Sequence, residues 1–168
     1  MQNVLIVEGP DGSGKTEIGK ALSKAVNAPY FKVTSEHDFW RSNKFKEALE
    51  FDQSYISQFL EQTGLSCTID RAWPSEWVYS LAYERHTNER VLYEVDRRFA
   101  SFGTTIILCR RRDYSHVTDE LVENSMLEEL DAIYNQFAKW TACKVVEIFV
   151  DDFDNDIEKQ LPWLIERI

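Results

Sequence analysis

Eight consecutive residues carry the densest chemistry in the chain. Gly9-Pro10-Asp11-Gly12-Ser13-Gly14-Lys15-Thr16 fits G-x-x-x-x-G-K-[ST] at every fixed position. Glycines let the backbone curl with no Cβ in the way, so successive N–H groups can converge on phosphate oxygens. A helix starting at the loop would add the positive end of its dipole. Lys15 is placed to reach the β- and γ-phosphates of a nucleoside triphosphate, and the Thr16 hydroxyl to ligate Mg²⁺. Gly9, Asp11, Gly12, Ser13, Gly14, Lys15 and Thr16 are therefore the expected ATP-binding set, with ATP and Mg²⁺ as the implied cofactors.

Two further stretches have residue types that suit phosphoryl transfer. Asp70-Arg71 ends an apolar run. Asp70 suits a metal-bound water or general-base role, and Arg71 a grip on an acceptor phosphate, against the plainer reading of a strand-end ion pair. Arg110-Arg111-Arg112 follows another apolar run in an otherwise acidic chain. A moving phosphoryl group needs positive charge around it, so at least one of the three is expected in the site, against the plainer reading of a solvated charge run. Of the many aromatics, Trp73 is the leading candidate to stack on a base, because it stands beside Asp70-Arg71; most of the others must be core. His37, His86 and His116 lack metal-ligand spacing.

The elements that must hold these residues alternate strand with helix. Val4 to Val7 is apolar on both faces, as in a buried parallel strand, and Ile18, Ala21, Leu22 and Ala25 recur at helical spacing after the loop. Further strands are expected over 30–33, 65–69, 104–109 and 144–150, with helical patterns within 36–62, over 75–102 and 118–140, and from 157 on. Ser75 is the expected cap of the long third helix and Gly103 its stop, while Pro162 should kink or split the last one. This order implies βαβ units, right-handed crossovers and a five-stranded parallel sheet flanked by helices. Such sheets bind ligands beyond the carboxyl ends of their strands, where the loop, Asp70-Arg71 and Arg110–Arg112 all fall.

The whole chain, 168 residues, suits a single domain. A balance of 19 Lys+Arg against 29 Asp+Glu gives a net charge of −10, a surface that repels a phosphate backbone, so a small nucleotide rather than nucleic acid is the expected partner. With no 18-residue apolar stretch and no basic leader, the expected setting is the cytoplasm, away from membrane. Cys67, Cys109 and Cys143 lie in or beside expected strands and suit buried reduced thiols. A second copy of the chain, as a homodimer, is kept open as a partner.

The chain resembles the thymidylate kinase family of nucleoside monophosphate kinases, in particular its short phage-type members. The resemblance rests on Glu8-Gly9-Pro10-Asp11-Gly12-Ser13-Gly14-Lys15-Thr16, close to E-G-x-D-G-[SA]-G-K-[ST]. It continues at Asp70-Arg71-Ala72-Trp73-Pro74-Ser75-Glu76-Trp77-Val78-Tyr79, which fits D-R-x-x-x-S-x-x-A-Y apart from Val78. It implies a three-layer P-loop kinase fold and ATP- and Mg²⁺-dependent transfer to a deoxynucleoside monophosphate such as dTMP. It also implies that Asp11 binds the sugar 3′-hydroxyl, Arg71 the acceptor phosphate and Tyr79 the sugar–base region, with Asp70 acting at the metal or acceptor. Gly12, where other members carry arginine, implies that catalytic arginines come from a short lid, here at about 110–120, as at Arg110–Arg112. Glu36 and Arg41 are candidate acceptor contacts after the second strand.

The chain departs from the family in three ways. It is shorter, Thr34-Ser35-Glu36-His37 has no R-E-P, and Ser80 stands where the family has a base-contacting glutamine. These departures keep three other readings open: a deoxynucleoside kinase with Glu36 as base, a kinase acting on a modified base or nucleic-acid end, and a non-catalytic nucleotide-binding module. The last lacks support from any D-x-x-G switch, N-K-x-D reader or ABC signature.

Overall fold

The computed structural model describes residues 3–32, 56–117, 122–151 and 153–168, with side chains in the last stretch from 157 onward. In chain order the strands are β1 (Val4–Glu8), β2 (Tyr30–Lys32), β3 (Cys67–Asp70), β4 (Thr105–Arg110) and β5 (Lys144–Phe149). The helices are α1 (Lys15–Ala25), α2 (described over 56–63), α3 (Trp73–Ala82), α4 (Glu89–Ser101), α5 (Asn124–Trp140) and α6 (Phe153–Ile165). The strands form one five-stranded parallel sheet in the order β2-β3-β1-β4-β5. This is the expected α/β architecture.

The alternation of side chains along the central strands sorts the core into two layers. Val4 and Ile6 of β1 and Ile106 and Leu108 of β4 pack with the apolar faces of α3, α4 and α5. Leu5, Val7, Ile107 and Cys109 point the other way, onto α1 and α6. All five residues of β1 are buried because its two faces are both covered, so its sequence shows no polar alternation.

Register brings the functional ends level. Val7 and Lys32 both pair with Asp70, and Glu8 pairs with Leu108, so Glu8, Lys32 and Asp70 emerge along one edge of the sheet.

Three elements differ from expectation. The span 75–102 is two helices, because the chain turns at 83–88: Glu84 takes φ 49 and the Asn88 side chain caps α4 at the Val91 N–H. The first of these helices starts at Trp73, ahead of Ser75, whose hydroxyl is used elsewhere. α6 runs through Pro162 without a break. Gly64 and Gly103 end their helices with φ 65 and 78, the left-handed conformation that glycine adopts without a steric penalty. Cys67, Cys109 and Cys143 are buried, unlinked thiols. Among the described residues no helix is long and apolar enough to cross a membrane.

Candidate active site

The loop leaves β1 through Gly9, which takes φ 140 and passes so close to β4 that a Cβ would collide with the Cys109 carbonyl oxygen. Gly12, at φ 71, has the Val117 side chain where its own Cβ would stand. The segment after β4 therefore lies against the loop. Gly14, at φ 82, turns the backbone into α1, whose first residue is Lys15. Ser13 is fully buried, with its hydroxyl unpartnered among the described residues.

A cleft of about 180 Å³ opens over this turn, lined by Asp11, Gly12, Gly14, Lys15, Thr16, Glu17, Lys32, Asp70 and Arg71. The Lys15 ammonium donates to the Pro10 carbonyl at 2.5 Å and lies 3.9 Å from Asp11. Burial, with the Arg71 charge adding to it, pulls its pKa down to about 8. Thr16 Oγ1 donates to Asp70 Oδ2 at 2.8 Å. Asp70 is buried, and its other oxygen, Oδ1, has no hydrogen-bond partner among the described residues.

This pair fits a nucleotide-bound Mg²⁺. Such an ion takes only one or two protein oxygens and completes its shell with phosphates and water. The fit does not need a protein cage, and no cluster of three or more His, Cys, Asp or Glu is found among the described residues.

Arg71 faces the loop from the far side. Its guanidinium pairs with Asp11, reaches Ser75 Oγ at 3.3 Å and Tyr79 Oη at 3.4 Å, and lies over the Tyr79 ring. Tyr79 in turn donates to Asp11 Oδ2 at 2.7 Å. Burial alone would raise the Asp11 pKa, but Arg71 and Lys15 outweigh it and hold the carboxyl below its ordinary value.

Arg71 adopts φ 70, a conformation that costs a non-glycine residue on the order of 1–3 kcal/mol. The turn is fixed by Glu8, which sequence reasoning left outside the site. Glu8 accepts from the Ala72 N–H at 2.6 Å, the Ser75 hydroxyl at 2.7 Å and the Tyr134 hydroxyl at 2.9 Å. Burial pushes its pKa up, against the pull of Arg71. A carboxylate closing an otherwise apolar strand was the available signal for Glu8. Tyr134, one apolar-face position within the helical pattern over 118–140, offered none.

Sequence reasoning also passed over Tyr30 and Lys32. Alternate positions on β2, they reach the same pair from the sheet edge: Tyr30 donates to Asp70 Oδ2 at 2.7 Å, and Lys32 Nζ lies 3.2 Å from Thr16 Oγ1.

Trp73 is not a wall of this cleft. It is fully buried and stacks on Phe99, with ring centroids 4.5 Å apart, because α3 turns it into the layer shared with α4. Ser80 is buried as well and donates to Glu76 at 2.9 Å. Arg110 is clamped by Asp131 and Glu147, and Arg112 by Asp151, with Phe149 beside both guanidinium groups. Arg111 is half-buried, and its backbone N–H donates to the Tyr114 hydroxyl. Glu36 and Arg41 lie outside the described residues.

No protein-family model matches the chain. Solved structures do. The YorR protein of Bacillus subtilis, determined in complex with phosphorylated GDP, superposes with a TM-score of 0.72 at 20% identity, covering 97% of this chain and 95% of its own. Thymidylate kinase from Candida albicans matches at 0.59 and 16%, covering 99% and 92%. Thymidylate kinase from Ehrlichia chaffeensis matches at 0.57 and 14%, covering 98% of both chains. The architecture is thus that of thymidylate kinase-like P-loop kinases, shared over nearly the full length of each.

Proposed function

We propose that the protein is a small-molecule nucleotide kinase, transferring the γ-phosphoryl group of ATP to a deoxynucleoside monophosphate, with dTMP or another pyrimidine deoxynucleotide the leading acceptor. The observation that carries this reading is the Arg71–Asp11 pair, which lines the same cleft as Lys15 and Thr16 and is braced by the Tyr79 hydroxyl. Arg71 offers a fork that matches a phosphate's oxygens, and Asp11 beside it is an acceptor suited to a sugar hydroxyl. A nucleoside would leave the fork facing no anion of the substrate, so the site should discriminate strongly for the monophosphate.

Donor and acceptor would meet over α1. The loop N–H groups and Lys15 would hold the β- and γ-phosphates of ATP, and Thr16 and Asp70 would hold a Mg²⁺, which would supply positive charge against the phosphates. Asp70 would keep the acceptor side polar, while the segment 111–117, touching Gly12 through Val117, would act as the lid and shield the transfer from water. Arg111 stands on that segment, and at least one of Arg110, Arg111 and Arg112 would supply positive charge to the transferring group.

A guanine nucleotide acceptor is a second reading, supported by the phosphorylated GDP in the YorR structure. The test is a panel of nucleosides, monophosphates and diphosphates, incubated with ATP and Mg²⁺ and followed by ADP release and product analysis. ATP should be spent only when a nucleoside monophosphate is present. Preference for a nucleoside would replace this reading with a nucleoside kinase, and no turnover with any acceptor would leave a nucleotide-binding module.

A further inference from the structure

The carboxylate expected to serve the nucleotide's divalent cation is not held by the loop alone. Asp70 Oδ2 accepts two hydrogen bonds, one from Thr16 Oγ1 at 2.8 Å and one from Tyr30 Oη at 2.7 Å, while Oδ1 is buried with no hydrogen-bond partner among the described residues. Two donors converging on one oxygen fix the plane of a carboxylate group in a way that one donor cannot. The Tyr30 ring is itself fixed: it packs on α1 at Gly19, where an added Cβ would come within 2.9 Å of its Cε2. Edge strand, helix and carboxylate are thus braced through one phenol.

We propose that Tyr30 is a positioning residue for the divalent-cation site, orienting Asp70 so that Oδ1 stays open for a nucleotide-bound cation or one of its waters. The proposal rests on the nucleotide-kinase reading above. Hydrogen bonds that orient a metal-binding carboxylate are worth about 10- to 100-fold in metal affinity. Burial and the Asp70 carboxylate push the Tyr30 pKa up, so the phenol remains a donor across the neutral range.

The test is Tyr30→Phe, which keeps the ring against Gly19 and removes only the hydroxyl. Mn²⁺ binding to the protein–ATP complex is followed by electron paramagnetic resonance, with no turnover required. The expected result is Mn²⁺ affinity lowered about tenfold, ATP affinity without metal unchanged, and a melting temperature within about 2 °C of wild type. In steady state the Mg²⁺ concentration for half-maximal rate should rise by a similar factor while the acceptor KM holds. Unchanged Mn²⁺ affinity in a folded Tyr30→Phe protein overturns the proposal. If that variant melts far below wild type, Tyr30→His, which restores a ring N–H donor, takes its place. Metal affinity near wild type then supports the role, and a tenfold loss despite a native fold overturns it. Failure of the wild-type protein to bind Mn²⁺–ATP at all would instead overturn the nucleotide-kinase reading.

Discussion

Arg71 and Arg110 each stand at the carboxyl end of a parallel strand, and the two have opposite surroundings. Arg71 turns across the loop to Asp11 and Tyr79, inside the cleft that holds Lys15 and Thr16. Arg110 turns away, making three contacts to Asp131 and one to Glu147. Strand-end position alone does not make an arginine a phosphate ligand. The partners supplied by neighbouring elements decide, and a chain with 29 acidic residues supplies many. Around Arg71 the nearest carboxylate belongs to the glycine-rich loop itself, so a ligand bound there would be able to reorganise the pair. Around Arg110 the carboxylates belong to α5 and β5, so the pair ties the sheet to its helix layer.

The largest effect expected is on the loop. Lys15→Ala should fold and lose on the order of 10³-fold in kcat, because it removes a cation positioned at the γ-phosphate. Near-normal turnover by a folded Lys15→Ala protein would place the chemistry elsewhere. Arg71→Ala comes next. It should lower kcat/KM for the monophosphate on the order of 10²-fold, leave the poor rate on the nucleoside almost unchanged, and so erase the preference between them. A retained preference would move acceptor-phosphate recognition away from Arg71.

The sequence made one side of this contrast readable. Gly9, Gly12 and Gly14 shape the local backbone and Lys15 and Thr16 follow them at fixed spacing, so the pattern alone announces all five. The central strands were legible as apolar runs because both faces of β1 are covered. What could not be read was direction. Trp73 stands two residues from Arg71, yet the turn of α3 sends it onto Phe99. Tyr30 reaches Asp70, forty residues on, only through the parallel register of β2 with β3, and Lys32 reaches back sixteen residues to Thr16 from the same strand. The break at 83–88 rests on a non-glycine residue with positive φ and an asparagine cap, neither marked by Gly or Pro. Arg71 itself takes φ 70 because Glu8, Ser75 and Tyr134 hold the turn, a constraint assembled from three elements.

The Arg110 side of the comparison predicts stability effects in place of catalytic ones. Both partners in its pair with Asp131 are largely buried, at 16% and 14% exposure. Arg110→Ala should cost about 3 kcal/mol of folding free energy by leaving Asp131 uncompensated, while kcat in the folded fraction stays within about threefold of wild type. Urea unfolding and active-site-normalised kinetics separate the two. A large kcat loss without destabilisation would return Arg110 to the site.

Lys15 offers a pH test of the loop. Its folded pKa is about 8 against an ordinary 10.5, so between those values the unfolded chain holds a proton that the folded one has released. The contribution to stability is fully present above about 10.5, shrinks as pH falls, and is lost below about 8. Relative to Lys15→Met, wild-type stability should therefore climb by about 3 kcal/mol as pH rises through that window. Parallel stability curves for the two proteins would mean that Lys15 is not desolvated in the free protein.

The smallest effect separates Arg112 from Arg111. Arg112 pairs with Asp151 and lies over Phe149, but its side chain is 70% exposed. Exposed pairs are worth about 0–1 kcal/mol and are screened by salt. Arg112→Ala should therefore leave both stability and kcat close to wild type. Arg111 lies between the two clamped arginines, on the segment whose Val117 covers Gly12. If the lid supplies charge to the transferring group, Arg111→Ala should lower kcat about 10²-fold with little change in acceptor KM, since charge there matters most in the transition state. Side-by-side kinetics of the two variants decide the assignment. A deep kcat loss in Arg112→Ala, with Arg111→Ala near wild type, would mean that Asp151 releases its arginine when the nucleotides bind.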